Sequence, residues 1–162
     1  MTDTAAFYRL SRHWIYWSGL GHLGDVSVST PGDDGEILFS SDQYSVHLRH
    51  EDGRWVVDNV DDRGRRQNAI ATFSSYALAE KYLIWIWASA ARSAIGAPNL
   101  DRALYNAGRY SGIEAKPVNV GSYELRSIEG SAVVAEPYAT IFSHLMDKPE
   151  EEIEQMVRAG VG

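Results

Sequence analysis

Between residues 73 and 95 apolar side chains recur at three- and four-residue intervals along two lines rather than one. Phe73, Tyr76, Ala77, Leu83, Ile84, Trp87, Ala91 and Ile95 form the first, and Leu78, Tyr82, Trp85 and Ile86 the second. A helix with one apolar stripe can lie on a surface, but one with two must be covered from two sides. The chain therefore has to supply a sheet for one stripe, and further helices or a partner protein for the other. Trp85 and Trp87 cannot share a face, so one packs on the sheet and its neighbour needs separate cover. Thr72 is placed to cap the helix start. The most apolar run, Tyr82 to Ala91, is ten residues long between Glu80-Lys81 and Arg92. A membrane span needs about 20, so no membrane partner is expected.

The sheet is written in the preceding residues. Val26 and Val28 alternate with serines, and Glu36 to Ser40 reads as a strand after the turn Pro31 to Gly35. Tyr44, Val46 and Leu48 alternate with Ser45, His47 and Arg49, which gives one apolar face. Glu51-Asp-Gly53 is a hairpin turn, because Asp-Gly accepts positive φ. Trp55 to Val60 follows, then the turn Asp61 to Gly64 and a strand from Arg66 to Ala71. Consecutive hairpins predict an antiparallel sheet of about four or five strands.

At the N-terminus, Ala6, Phe7, Leu10, Trp14 and Trp17 predict a helix over 4–17, with glycines at 19, 21 and 24 ending it. Residues 96–117 break every local pattern and read as a long ordered connection. Beyond them come a strand over 118–128, a turn at Glu129-Gly130 and a return strand over 131–135. A short helix over 140–146 and a last helix opened by Pro149 and closed by Gly160 complete the chain. Glu150, Glu151 and Glu152 fall at the positive end of that last helix. The fold class is α+β: an antiparallel sheet of hairpins packed against a long central helix, with N- and C-terminal helices. Residues 1–162 are expected to form a single domain.

Little in this sequence carries chemistry. There is no cysteine, which removes thiolate nucleophiles, disulfides and cysteine metal sites. His13, His22, His47, His50 and His144 are scattered, and His47 and His50 point to opposite faces of a strand. The glycines of Gly19-Leu-Gly-His-Leu-Gly24 follow a helix and precede a strand, the reverse of a dinucleotide fingerprint. No nucleophile elbow is present. No catalytic residue, metal or cofactor is therefore expected. Fifteen Lys and Arg against 22 Asp and Glu give a net charge of −7, a poor match for nucleic acid. The N-terminal residues have no basic region ahead of an apolar core, so no secretory leader is expected and the protein is placed in the cytoplasm.

Acidic charge together with five Trp and nine Tyr suits a protein partner. Candidate contacts are the turn carboxylates Asp33, Asp34, Asp61 and Asp62, with Arg65 beside them, and Tyr16, which leaves the face shared by Trp14 and Trp17. Arg63, Arg65 and Arg66 are offset by their aspartate neighbours and read as an ion network.

The order of segments carries a resemblance. Val46-His-Leu-Arg-His-Glu-Asp-Gly-Arg-Trp-Val-Val57 leads through a polar turn to Phe73-Ser-Ser-Tyr-Ala-Leu-Ala-Glu-Lys-Tyr-Leu83, and later come Phe142-Ser-His-Leu-Met146 and Pro149-Glu-Glu-Glu-Ile153. This resembles the actinobacterial immunity protein 61 family, related to the immunity factor of the tuberculosis necrotizing toxin, a secreted NAD+ glycohydrolase. The resemblance implies a non-enzymatic antitoxin that binds a cognate toxin domain and blocks its active site. Two other readings stand beside it. A small-ligand or enzymatic domain would use a pocket lined by 96–117, with Arg102, Tyr105, Arg109 and Tyr110. A secretion chaperone would use the same aromatic and acidic surfaces on an exported client.

Overall fold

Two meanders meet in one sheet. The structure, a computed structural model, describes residues 4–29 and 35–161. Helix α1 (Thr4–Leu20) is followed by β1 (Ser27–Val28), β2 (Ile37–Ser40), β3 (Ser45–Glu51), β4 (Arg54–Val60) and β5 (Arg66–Phe73). Helix α2 (Tyr76–Ala94) and the short α3 (Leu100–Asn106) come next. Then come β6 (Glu114–Asn119), β7 (Ser122–Ser127), β8 (Gly130–Ala135), α4 (Tyr138–Ser143) and α5 (Glu150–Arg158). The fold is α+β.

All neighbouring strands are antiparallel, in the order β1-β2-β3-β4-β5-β8-β7-β6. The sheet thus has eight strands where four or five were expected, because the second meander joins the first. The seam is short: β5 pairs with β8 only through Ala71, Thr72 and Phe73, opposite Val134, Val133 and Ala132. Asp52 and Gly53 take φ of 51° and 76°, the left-handed geometry that lets a two-residue turn follow the twist of β3 and β4.

Three local expectations change. Thr72 does not cap α2; it lies inside β5, paired with Val56 and Val133. Ser75 is the cap, its Oγ accepting from the Leu78 N–H at 3.2 Å. Residues 96–117 are not one irregular connection, since α3, capped by Asn99, and the start of β6 lie within them. The strand expected over 118–128 is divided by a turn at Gly121, whose φ is 77°, and becomes the end of β6 and the whole of β7.

Both stripes of α2 are covered. Trp87 stacks toward Phe39 of the sheet at 4.9 Å and toward Trp14 of α1 at 5.0 Å. Trp85 faces the other way, and its indole N–H donates to Asp101 of α3 at 2.6 Å. Phe73 meets Phe142 of α4 at 5.6 Å, edge to face. Leu10, Trp14, Trp17, Ile37, Phe39, Leu48, Val57, Phe73, Leu78, Leu83 and Ile84 belong to the same buried cluster. Two cations of α2 are also buried and spent on backbone. Lys81 Nζ donates to the Met146 carbonyl at 2.8 Å, and Arg92 donates to the carbonyls of Pro98, Val157 and Ala159. These bonds fix the path from α4 into α5 and the end of α5. Among the described residues no helix is long and apolar enough to cross a membrane.

Candidate functional site

Helix α5 opens with Pro149 and three glutamates, the composition that suits the positive end of a helix. Glu150 and Glu154 are four apart and share a face, as do Arg9 and His13 on α1. The two faces meet. Arg9 grips the fully buried Glu80 of α2 with two bonds, Nη2 to Oε1 at 2.7 Å and Nε to Oε2 at 3.1 Å. Its Nε also lies 2.9 Å from Glu150 Oε1. His13 Nε2 is 2.8 Å from Glu154 Oε1. Burial, with the bond and the charge of Glu80 beside it, pushes the Glu150 carboxyl up to about 8, against the pull of Arg9. Glu150 therefore holds its proton to a higher pH than an ordinary glutamate. His13, Glu150 and Glu154 bring ligand atoms within 4.8 Å of one another, a spacing within reach of a metal ion. Each is already engaged by a protein group, so the trio reads as a helix clamp.

At this clamp α1 and α5 border an open cleft of about 670 Å³, lined by Arg9, Arg12, His13, Ile15, Tyr16, Glu154 and Arg158. Tyr16 is half-buried there, edge-on to Trp17 at 4.8 Å and with the Arg158 guanidinium 4.5 Å from its ring centre. Ile15 and, two turns earlier along α1, Tyr8 are 56% and 57% exposed. Arg12 is exposed between them. Large apolar side chains standing out beside arginines are the composition of interface anchors.

The other sequence candidates are placed differently. Asp33 and Asp34 lie outside the described residues. Asp61 builds its own turn: it accepts from the N–H groups of Arg63 and Arg65 and from Arg65 Nε, each at 2.9 Å. The backbone bond from Arg65 leads the causes that hold its carboxyl below the usual range. Asp62 is exposed at the tip, and Arg65 is exposed with its guanidinium turned to Asp61. Arg66 enters an ion network on the sheet face away from α2. There the fully buried Asp58 accepts from Arg49 at 2.7 Å, Arg66 at 2.6 Å and the Ala69 N–H at 2.7 Å. Burial pushes the Asp58 carboxyl up, but these bonds win and leave it at about 2. Glu36, His47 and Glu51 complete the network. Its cations are matched by acids of the same chain.

The four side chains expected to line a pocket within 96–117 do not converge. Arg102 and Tyr105 border a shallow hollow of about 400 Å³ with Tyr138. Arg109 instead lies over the Tyr123 ring at 3.9 Å, and Tyr110 sits beside His144. An adjoining hollow of about 410 Å³ between α2 and α3 is lined by Ser89, Asp101 and Tyr138, and Asp101 there is engaged by Trp85 and Ser89.

Sequence reading singled out Tyr16 but missed Arg12 and Ile15 on the same helix, and it missed Arg158 because α1 and α5 are far apart in the chain. The i, i+4, i+7 spacing of Tyr8, Arg12 and Ile15 on one face of α1 was the available signal.

The chain has a matching family and a solved structure of the same fold. The profile of a family described as immunity protein 61 matches residues 20–162. The solved structure of Rv3902c from M. tuberculosis shares the fold, with a TM-score of 0.74 and 17% identity, over 96% of this chain and 88% of that chain. Among curated proteins the sequence has no match.

Proposed function

The chain belongs to the immunity protein 61 family, and from that membership we propose that it is an antitoxin that binds a cognate secreted toxin domain and blocks its active site. The family match over residues 20–162 carries this reading. It is supported by a surface whose polar clusters are tied up within the chain, as in the Asp58 network and the Asp61 turn, and by exposed aromatic and aliphatic anchors on α1. The toxin acts where its inhibitor waits, so the proposed compartment is the cytoplasm of the producing cell. The resemblance of the sequence to a family related to an NAD+ glycohydrolase inhibitor makes NAD+ hydrolysis the first toxin activity to assay.

The experiment is co-expression with the product of the neighbouring gene as the candidate toxin, purification of the pair, and titration of the free toxin with the free protein. NAD+ consumption, or the toxin's own measured activity, should fall to background at one equivalent. A toxin that keeps its activity under a tenfold excess of folded protein would exclude the antitoxin reading.

A further inference from the structure

We propose that the cleft between α1 and α5 is the surface on which the toxin docks, and that it receives an acidic segment of the toxin bearing an apolar side chain. This rests on the antitoxin reading above.

Charge selects the occupant. The chain carries a net −7, yet the cleft is bordered by Arg9, Arg12 and Arg158. Arg9 is bound to Glu80 and Glu150, and the one acid lining the cleft, Glu154, is bound to His13. Arg12 and Arg158 are left to face outward. The Arg158 guanidinium lies over the Tyr16 ring at 4.5 Å and 5.9 Å from the Trp17 ring centre, which restrains it at the cleft's edge within reach of a partner's carboxylate. Packing selects the apolar part. Ile15 lines the same cleft and Tyr8 continues its exposed face, and both are more than half exposed. A partner that covered them would gain apolar burial, and desolvation would strengthen its ion pairs with Arg12 and Arg158. The charged face of the sheet offers no comparable gain. Arg49 and Arg66 are matched by Asp58 there, and Arg126 by Glu124, so docking would have to compete with existing pairs. The clamp of Arg9, Glu80, Glu150, His13 and Glu154 supplies part of the cleft's lining and holds its two walls together before any partner arrives, which reduces the ordering cost of binding.

The test uses the toxin domain purified from the co-expressed pair, with affinity and association rate measured at two salt concentrations. Arg12→Glu and Arg158→Glu should each weaken binding at least tenfold and flatten the salt dependence of association. Ile15→Ser should weaken it comparably through a faster dissociation. Lys116→Glu, on the exposed edge strand β6, should leave affinity unchanged. All four positions are exposed, and an unaltered thermal midpoint establishes that each variant is folded. Amide exchange in the complex should slow in the second half of α1 and in α5. A toxin that is inhibited by the wild type and binds the Arg12→Glu/Arg158→Glu double variant equally well would overturn this docking surface while leaving the antitoxin reading intact. A toxin that the wild type does not inhibit at all would remove both.

Discussion

The Arg92 guanidinium, buried on α2, donates at 2.7 Å to the carbonyl of Val157 in the last turn of α5. The same group reaches Ala159 and Pro98, so one side chain closes three carbonyl acceptors from two segments. Replacing it with methionine keeps the aliphatic stem and orphans all three. The expected loss of stability is about 3 kcal/mol, the scale of buried acceptors left unpaired. Urea unfolding would measure it, and an unchanged midpoint would show that solvent satisfies those carbonyls instead.

Glu150 predicts a pH dependence of definite sign. Its carboxyl sits at about 8 in the folded protein, against 4.5 for an ordinary glutamate. The folded state therefore holds the proton more tightly than the unfolded state. Stability from this group is complete below about pH 4.5 and is lost as pH rises through about 8. Glu150→Gln should remove that slope, so the variant should gain on the wild type between these limits and keep a constant lead above them. Thermal midpoints of both proteins across pH 4 to 9 would decide it, and parallel curves would count against the buried Glu80–Glu150 pair.

Asp58 predicts the opposite slope at acid pH. Its folded carboxyl lies at about 2, below the ordinary 3.8, so its stabilising effect is present above 3.8 and disappears as pH falls toward 2. Asp58→Asn should shallow the acid limb of the stability curve. At neutral pH it should cost about 3 kcal/mol, because Arg49 and Arg66 would lose the buried charge they surround. Acid titration followed by tryptophan fluorescence would check both parts.

Helix α3 has no fully buried residue, and Asp101 ties it to α2 through Trp85 and Ser89. Asp101→Ala should cost about 1.5 kcal/mol and leave the Trp85 indole N–H without its acceptor. The loss should be local. Amides of residues 100–106 should exchange about tenfold faster while those of α2 stay protected. Equal acceleration in both helices would mean that α3 and α2 open together.

What was legible in the sequence was legible because it is local. The two stripes of α2 and the alternation in β3 are repeats of a few residues, and Asp52-Gly53 carries its turn in its own backbone preference. The strands over 114–127 were misread because Pro117 looks like a break, although it is tolerated on an edge strand, and because the turn at Gly121 was read as the interior of one strand. Helix α3 escaped notice because only Leu100 and Leu104 pack against the core, too few to make a stripe. Joining the meanders needs Ala71 to find Val134, a pairing that no window along the chain displays. The same limit applied to the site. Tyr16 could be recognised as leaving the face of Trp14 and Trp17, but Arg158, which stacks on it, belongs to a helix whose position depends on Arg92 and Lys81.

The short seam between β5 and β8 gives the sheet an uneven resistance to opening. Within each meander every strand is next to its chain neighbour, so those contacts close small loops and form early. The seam closes a loop through α2, α3 and two further strands, with three residue pairs to repay that entropy. Much of its strength must come from α2 and α4, which bury Phe73 and Phe142 across it. Strands β6 to β8 are thus held to β1 to β5 chiefly through the shared core under α2 and α4. Separation at the seam would be set by core packing above the sheet rather than by hydrogen bonds within it.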